Sequence, residues 1–417
     1  MKKIWKNYKT TIILLIAIII GAILGIILKE KAIVFKPLGD IFLNMLLVII
    51  VPLIFLTITT SIAKMKQPKR LGKIMISIIS VFIFTSLIAV IVGFASTCFI
   101  KLVNTEDGEK IRTSLEEITE ITEKNEEELS IGERTVKLLT VNDFSKLLSK
   151  DNIIALLIFS IIFGIAINMS GEKGQPVYEL LDSANVIVGN IVKIIMYFAP
   201  IGLGSYFAAL VGSYGASIAV GYLKTFIMYI IVTIIYYFSI YTLYAFMAGG
   251  KKGIGAFWKN AVPSTLTALA TCSSAASIPV NIECSKKMGV PEDIAETTIP
   301  LGTSFHKDGS IIGSVFKIMF LVALFGTPIN TVGNVLTIFG VALLANLLIT
   351  AVPIGGGTIS EMLILSMMGY PLAALPILTV IATIIDPPAT MLNVVGDTVS
   401  SMLVTRIVDG KEWINGK

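Results

Sequence analysis

Thr271-Cys272-Ser273-Ser274-Ala275-Ala276-Ser277-Ile278-Pro279 decides how the second half of this chain folds. The segment is small, rich in hydroxyls and ended by proline, and it interrupts an apolar stretch from about Ala256 to Cys284. Basic residues stand on both sides of that stretch, Lys251 and Lys252 before it and Lys286 and Lys287 after it. Positive charge collects on the cytoplasmic side of a membrane. The stretch is therefore predicted to leave by the face through which it entered, as a re-entrant hairpin broken at the small residues. Further on, Ile294 to Phe325 is predicted to run outward, and Val332 to Met368 is split by Val352-Pro353-Ile354-Gly355-Gly356-Gly357-Thr358. A second hairpin opening outside lets the last span, about Leu372 to Val404, return and leave Arg406 and Lys411 in the cytoplasm. Two oppositely oriented hairpins, each followed by a span, form an inverted repeat, which points to a transport site near the membrane midplane. The alternative is that Gly and Pro only kink ordinary spanning helices. Making one hairpin a full crossing would spoil the charge signs, whereas converting both would restore those at the terminus.

The rest of the sequence places this half in a membrane. The 417 residues are 55% hydrophobic and 15% charged, with a mean hydropathy of +0.86. Apolar stretches long enough to cross roughly 30 Å of hydrocarbon recur throughout: about Tyr8–Leu28, Leu38–Ala63, Ile74–Ile100, Ile153–Met169, Val186–Val211 and Ile218–Met247. The first follows a basic start, and it is longer than a signal-peptide core and lacks a small-residue cleavage site, so a retained helix with a cytoplasmic N-terminus is expected. The net charge of +5 is spread over short loops, such as Lys64, Lys66, Lys69, Arg70 and Lys73, which argues against nucleic acid and for the lipid bilayer. The region 104–151, rich in Glu and Lys, reads as an extracellular loop. Three cysteines, Cys98, Cys272 and Cys284, fit neither a disulfide framework nor a metal motif.

Ionisable groups within hydrocarbon are costly and mark function. Gly302-Thr303-Ser304-Phe305-His306-Lys307-Asp308-Gly309-Ser310 holds three consecutive titratable residues, which point in different directions on a regular helix. The backbone is predicted to unwind there, between Gly302 and Gly309. In the last span Asp386, Thr390, Asn393 and Asp397 fall at i, i+4, i+7 and i+11, on one helix face. Two aspartates in one stripe suit a cation or an amino group. Pro387 and Pro388 suit the first turn of a helix beginning near Asp386. The hydroxyls of Ser273, Ser274 and Ser277 and the backbone of Gly355 to Gly357 suit a carboxylate.

At these residues the sequence resembles the dicarboxylate/amino acid:cation symporter family, the glutamate-transporter homologues, over essentially its whole length. Ser273 to Pro279 is similar to the serine-rich tip of hairpin 1, Pro300-Leu301-Gly302-Thr303 leads into the span 7 motif, and Val352-Pro353 begins hairpin 2. Asn393-Val394-Val395-Gly396-Asp397 resembles the span 8 signature, and Tyr197 to Gly202 and Thr85-Ser86 also match. The resemblance implies an all-α polytopic membrane fold of eight transmembrane helices plus two re-entrant helical hairpins, arranged as inverted repeats and working as an elevator in a homotrimer of the cell membrane. It assigns 1–73 and 152–216 to a scaffold, helices 1–2 and 4–5. Residues 74–103, helix 3, and 217–417, the core, fall to a moving transport domain. It implies that Asp386 binds an α-amino group and Asn393 an α-carboxylate, with Ser273, Ser274, Pro353, Gly355, Gly356, Ala389 and Thr390 around them. For sodium it implies Gly302, Asn393 and Asp397 at one site, Thr85, Ser86 and Asp308 at a second, and carbonyls near Ser304 with the hairpin 2 tip at a third. His306 stands where the family has a residue that contributes to these sites.

Two departures from the family pattern bear on function. Acidic-substrate members carry an arginine where this chain has Ala389, and Cys272 stands where some use another, so a bidentate clamp for a side-chain carboxylate is missing. A neutral or small polar amino acid is therefore expected as cargo ahead of glutamate or aspartate. The span 7 motif, Asn-Met-Asp-Gly-Thr in the family, is His306-Lys307-Asp308-Gly309-Ser310 here. An ammonium can stand in for a bound cation near Asp308 or Asp397, and His306 or Lys307 can titrate, so fewer sodium ions, or protons in their place, are expected to be coupled. The alternative is that Lys307 snorkels or pairs with Glu361, itself a departure from the family. No enzyme cofactor is expected, and an enzyme is disfavoured because no nucleophile motif is centred near His306, the only histidine. A sodium-independent or proton-coupled carrier or exchanger of a dicarboxylate, or an ion channel, would use similar broken helices.

Overall fold

In hydrocarbon a backbone amide or carbonyl finds no water, so an apolar stretch satisfies both within itself by coiling into a helix. A computed structural model of the protein describes residues 2–63, 72–100, 102, 140–149, 152–214, 217–347 and 356–414, which are almost wholly helical and contain no strand. The first five long helices are α1 (Lys2–Leu28), α2 (Lys36–Ala63), α3 (Gly72–Thr97), α4 (Ile153–Met169) and α5 (Gln175–Tyr214). Next come α6 (Ser217–Ile235), α7 (Tyr241–Asn260), α8 (Val262–Thr271), α9 (Ser274–Lys287) and α10 (Glu292–Phe305). The last four are α11 (Asp308–Phe325), α12 (Val332–Leu347), α13 (Gly356–Met368) and α14 (Leu375–Asp409). Four helical runs among the described residues are long and apolar enough to cross a membrane: Lys73–Thr97, Ala219–Asn260, Glu292–Phe325 and Leu372–Asp409. A fifth is added if Gln175–Ile195 and Tyr197–Ser213, bent by 50°, form one span. The described residues are those of an all-helical, polytopic membrane protein.

The helices pack in two sets. In the first, α5 lies against α1 and α2, and α2 lies against α4. Between helices in a membrane the attraction is largely close packing, which small residues permit. A Cβ on Gly21 of α1 would come 2.2 Å from the Gly204 carbonyl oxygen of α5, and one on Gly202 would meet Phe42 Cβ at 2.3 Å. In the second set α14 is the hub, touched by α3, α6, α7, α8, α9, α10, α11 and α13. It is buried without interruption from Pro388 to Thr405. A helix surrounded on all sides in this way carries its polar residues into the protein interior and away from lipid.

Several boundaries differ from those expected. Lys251 and Lys252 sit in helix, because the loop expected there is a kink: Gly250, at φ +60°, turns the chain and α7 resumes. The first arm of the hairpin region begins at Val262, and its break is confined to Cys272, left-handed at φ 47°, and extended Ser273. Pro279, expected to end that stretch, lies inside α9. The arms α8 and α9 pack side by side. α12 and α13 likewise pack together, but the segment joining them, with Val352 to Gly355, lies outside the described residues. So does most of the region 104–151. At its end Asp143 caps a single turn, Phe144–Leu147, by accepting the Ser145 amide at 2.8 Å, and this hydrogen bond holds its carboxyl below the usual value.

The glycine contacts give a first test. Gly21→Val forces α1 off α5 and should cost about 1–3 kcal/mol, lowering the melting temperature of the protein in detergent. Gly189→Ala, where a Cβ meets nothing within 4 Å, should leave it unchanged or slightly raised.

Candidate functional site

The helix formed by α10 and α11 breaks at His306 (φ −122°, ψ 116°) and Lys307 (φ −146°, ψ 69°), within the segment where the sequence predicts unwinding. Each titratable residue thereby takes its own direction. Asp308 opens α11, where the helix N-terminus favours a carboxylate. His306 turns into the protein, fully buried, and its ring lies flat on Phe82 of α3, with centroids 4.5 Å apart and planes at 12°. Nδ1 lies 2.9 Å from Asp397 Oδ1. Nε2 lies 2.7 Å from Thr85 Oγ1 and 3.1 Å from Asp308 Oδ1. One imidazole thus joins α3, the break and α14. Asp397 approaches the break because Gly302 has no side chain; a Cβ there would fall 2.2 Å from Asp397 Oδ1.

Thr85, Gly302, His306, Asp308 and Asp397 are therefore gathered in one place. Ser86 is buried beside Thr85, and its hydroxyl has no hydrogen-bond partner among the described residues. Ser304 lies on α10 and donates to the Pro300 carbonyl at 3.3 Å. Asp308 Oδ1 and Asp397 Oδ2 accept no hydrogen bond of good geometry. Among the described residues no three His, Cys, Asp or Glu side chains converge on a point that could hold a metal ion. The two ring nitrogens thus stand between Asp397 Oδ1 and Asp308 Oδ1.

The α14 stripe departs from expectation in its backbone. No helix begins at Asp386; α14 runs unbroken through Pro387 and Pro388. Lacking amide hydrogens, the prolines leave the carbonyls of Thr383 and Ile384 without their helical donors, so the discontinuity is one of hydrogen bonding and not of chain path. Asp386 is exposed, and its nearest polar contact is the Thr390 hydroxyl at 3.5 Å. Asn393 is occupied: Oδ1 accepts the Ser310 amide at 3.1 Å and Nδ2 donates to Ser310 Oγ at 2.9 Å. Ala389 is buried, and its carbonyl abuts Gly309, where a Cβ would lie 2.3 Å from the oxygen. At the α8–α9 break, Ser273 Oγ accepts the Ala276 amide at 3.2 Å as a helix cap, and Ser274 opens α9. Pro353 and Gly355 lie outside the described residues; Gly356 opens α13.

Glu361 takes its cation from α11, not from the break. Lys317 Nζ lies 3.4 Å from Glu361 Oε1, both buried, and Thr379 of α14 donates to Glu361 Oε2 at 3.0 Å. Lys317 is not legible as a functional residue from sequence, because a lone lysine in an apolar span gives no sign of its partner. Nor are Tyr229 and Tyr241, which donate to the carbonyls of Gly309 at 2.8 Å and Leu392 at 2.6 Å. A five-residue π-helical segment, Tyr236–Ile240, precedes Tyr241 and changes the helical phase there. Asn281 of α9 donates to the Val394 carbonyl at 2.8 Å and accepts from Ser264 and Thr398, joining both arms to α14.

Broken helices that carry buried charges into the middle of an apolar bundle define a membrane transport protein, and this is not an enzyme. The chain belongs to the sodium:dicarboxylate symporter family, whose profile matches residues 11–407. It is 24% identical over 410 residues to the proton/sodium-glutamate symport protein of Bacillus subtilis (strain 168), covering 97% of this chain and 94% of that one. It is 27% identical over 401 residues to a C4-dicarboxylate transport protein of Geobacter sp. (strain M21), covering 94% and 88%. A C4-dicarboxylate transport protein of Aeromonas salmonicida (strain A449) is 27% identical over 408 residues, covering 95% and 91%.

The buried Lys317–Glu361 pair makes a stability prediction. Lys317→Met leaves a carboxylate alone in the interior and should cost about 3–5 kcal/mol. Lys317→Met with Glu361→Leu should recover most of that loss in the same thermal unfolding measurement.

Proposed function

We propose that this protein is a secondary active symporter of the cell membrane that carries a neutral or small polar amino acid, coupled to a sodium or proton gradient. The observation that carries the substrate assignment is Asp386, an exposed carboxylate with one weak hydroxyl contact. A carboxylate left at the surface of a hub helix asks for a cation, and an amino acid supplies an ammonium where a dicarboxylate supplies none. Asn393, seven residues and about two turns along the same face, would take the α-carboxylate, helped by Ser273 and Ser274 at the α8–α9 junction, with Pro353, Gly355 and Gly356 as further substrate-binding residues. Ala389 adds only a methyl group where an acidic side chain would need a guanidinium.

In this proposal α8–α9 and α12–α13 are the two re-entrant hairpins, and eight spans cross the membrane with both termini in the cytoplasm. The set around α14 moves as the transport domain, 74–103 and 217–417. The set α1, α2, α4 and α5 holds still as the scaffold of a homotrimer. The packing into two sets supports this division. The names of the relatives favour a second reading, a dicarboxylate or glutamate as cargo.

Uptake into liposomes of purified protein separates the two. Concentrative uptake of a neutral amino acid, poorly inhibited by glutamate, aspartate and succinate, is expected. Asp386→Asn should reduce that uptake by 100-fold or more, on the order of the 2–5 kcal/mol lost when one partner of a desolvated charge pair is truncated. Uptake of succinate that survives Asp386→Asn would overturn the amino acid assignment.

A further inference from the structure

We infer that His306, with Lys307 beside it, closes the charge balance of Asp308 and Asp397 from within the chain, so that sodium is not bound between these two carboxylates. The inference deepens the proposed function by limiting where a coupling cation can bind.

The geometry around the ring carries the argument. Three oxygens surround the two ring nitrogens: Asp397 Oδ1 at 2.9 Å from Nδ1, and Thr85 Oγ1 at 2.7 Å and Asp308 Oδ1 at 3.1 Å from Nε2. Two belong to carboxylates: Asp397 Oδ1 accepts from Nδ1, and Asp308 Oδ1 stands beside Nε2 as an ion-pair partner without a hydrogen bond. The third belongs to a hydroxyl with the Val81 carbonyl at 2.9 Å and the Phe82 carbonyl at 3.2 Å in reach of its hydrogen, an arrangement that lets the oxygen accept from Nε2. Acceptors at both nitrogens require a hydrogen on each, and an imidazole with both hydrogens is a cation. Phe82 covers one face of the ring, which fixes it in the gap between the aspartates.

Charge and ligand chemistry agree with this placement. Lys307 lies in the helix break between His306 and Asp308 and is half-buried. Two carboxylates, one imidazolium and one ammonium sum to zero without any inorganic ion. Two like charges this close within an apolar interior would otherwise demand an outside cation. Were the ring to turn and offer a nitrogen lone pair, it would be a poor partner for sodium, because hard cations of this kind take oxygen ligands. The Tyr241 hydroxyl, 3.4 Å from Asp308 Oδ2, donates to the Leu392 carbonyl at 2.6 Å and offers no competing charge.

The test is a thermal-unfolding measurement on the full chain in detergent micelles, with no substrate, as sodium chloride replaces choline chloride at constant ionic strength. Because it needs no cargo, a failed amino acid assignment leaves it readable. The wild-type protein should show no sodium-specific rise in melting temperature that depends on Asp397. His306→Asn combined with Lys307→Met strips the aspartates of their cations and should melt lower in choline. It should regain about 3–5 °C, saturably, in sodium. Adding Asp397→Asn should remove that gain. A folded double variant with no sodium-specific gain would overturn the inference. So would sodium-specific stabilisation of the wild-type protein that Asp397→Asn alone abolishes, a comparison that stands even if the double variant does not fold. Wild-type stabilisation by sodium that persists in Asp397→Asn would place the ion elsewhere and support it.

Discussion

Two carboxylates enclosed in an apolar bundle persist only if something positive or hydrogen-donating meets them, because desolvating an ion costs several kcal/mol even after relaxation. Around Asp308 and Asp397 that requirement shapes the backbone itself. The helix opens at His306 and Lys307 so that the imidazole can reach inward while Asp308 starts a new helix. Gly302 gives up a side chain so that Asp397 can come close. Phe82 and Thr85 of α3 complete the enclosure, which ties a helix more than two hundred residues away in sequence to the same point. A second ion pair, Lys317 with Glu361, joins α11 to α13 by the same logic.

Long apolar runs and their breaks were legible because they follow from the chemistry of a short chain segment. Three ionisable residues in a row cannot all face inward on one helix, and the chain does break between them. Asp386, Thr390, Asn393 and Asp397 share a face because their spacing is helical, and α14 is continuous enough to keep them there. What escaped was set by partners distant in sequence or by local alternatives of nearly equal energy. Pro387 and Pro388 are as compatible with the interior of a heavily packed helix as with the first turn of a new one, since surrounding helices can tolerate the lost hydrogen bonds. Gly249 and Gly250 read equally as a loop or a kink. Lys317 gave no hint of Glu361, because the pairing depends on how α11 meets α13. The α8–α9 break was placed in the right segment, but only the left-handed conformation of Cys272 narrows it to two residues.

Polar ties run within each set of helices. Thr59 of α2 donates to the Ser160 carbonyl of α4 at 3.2 Å. In the other set, Tyr229, Tyr241, Asn281, His306 and Thr379 each bind residues on another helix. Such buried networks resist distortion, because opening one leaves polar atoms unsatisfied in a low-dielectric interior. A rearrangement that opened the polar contacts around α14 would therefore be costly.

The pairing of Asn393 with Ser310 has a geometric consequence of its own. Both ends of the amide are engaged, by the backbone and the hydroxyl of one residue. The amide nitrogen keeps a second hydrogen and the oxygen a second lone pair that these bonds do not use, so the pairing sets the direction of the side chain without exhausting it.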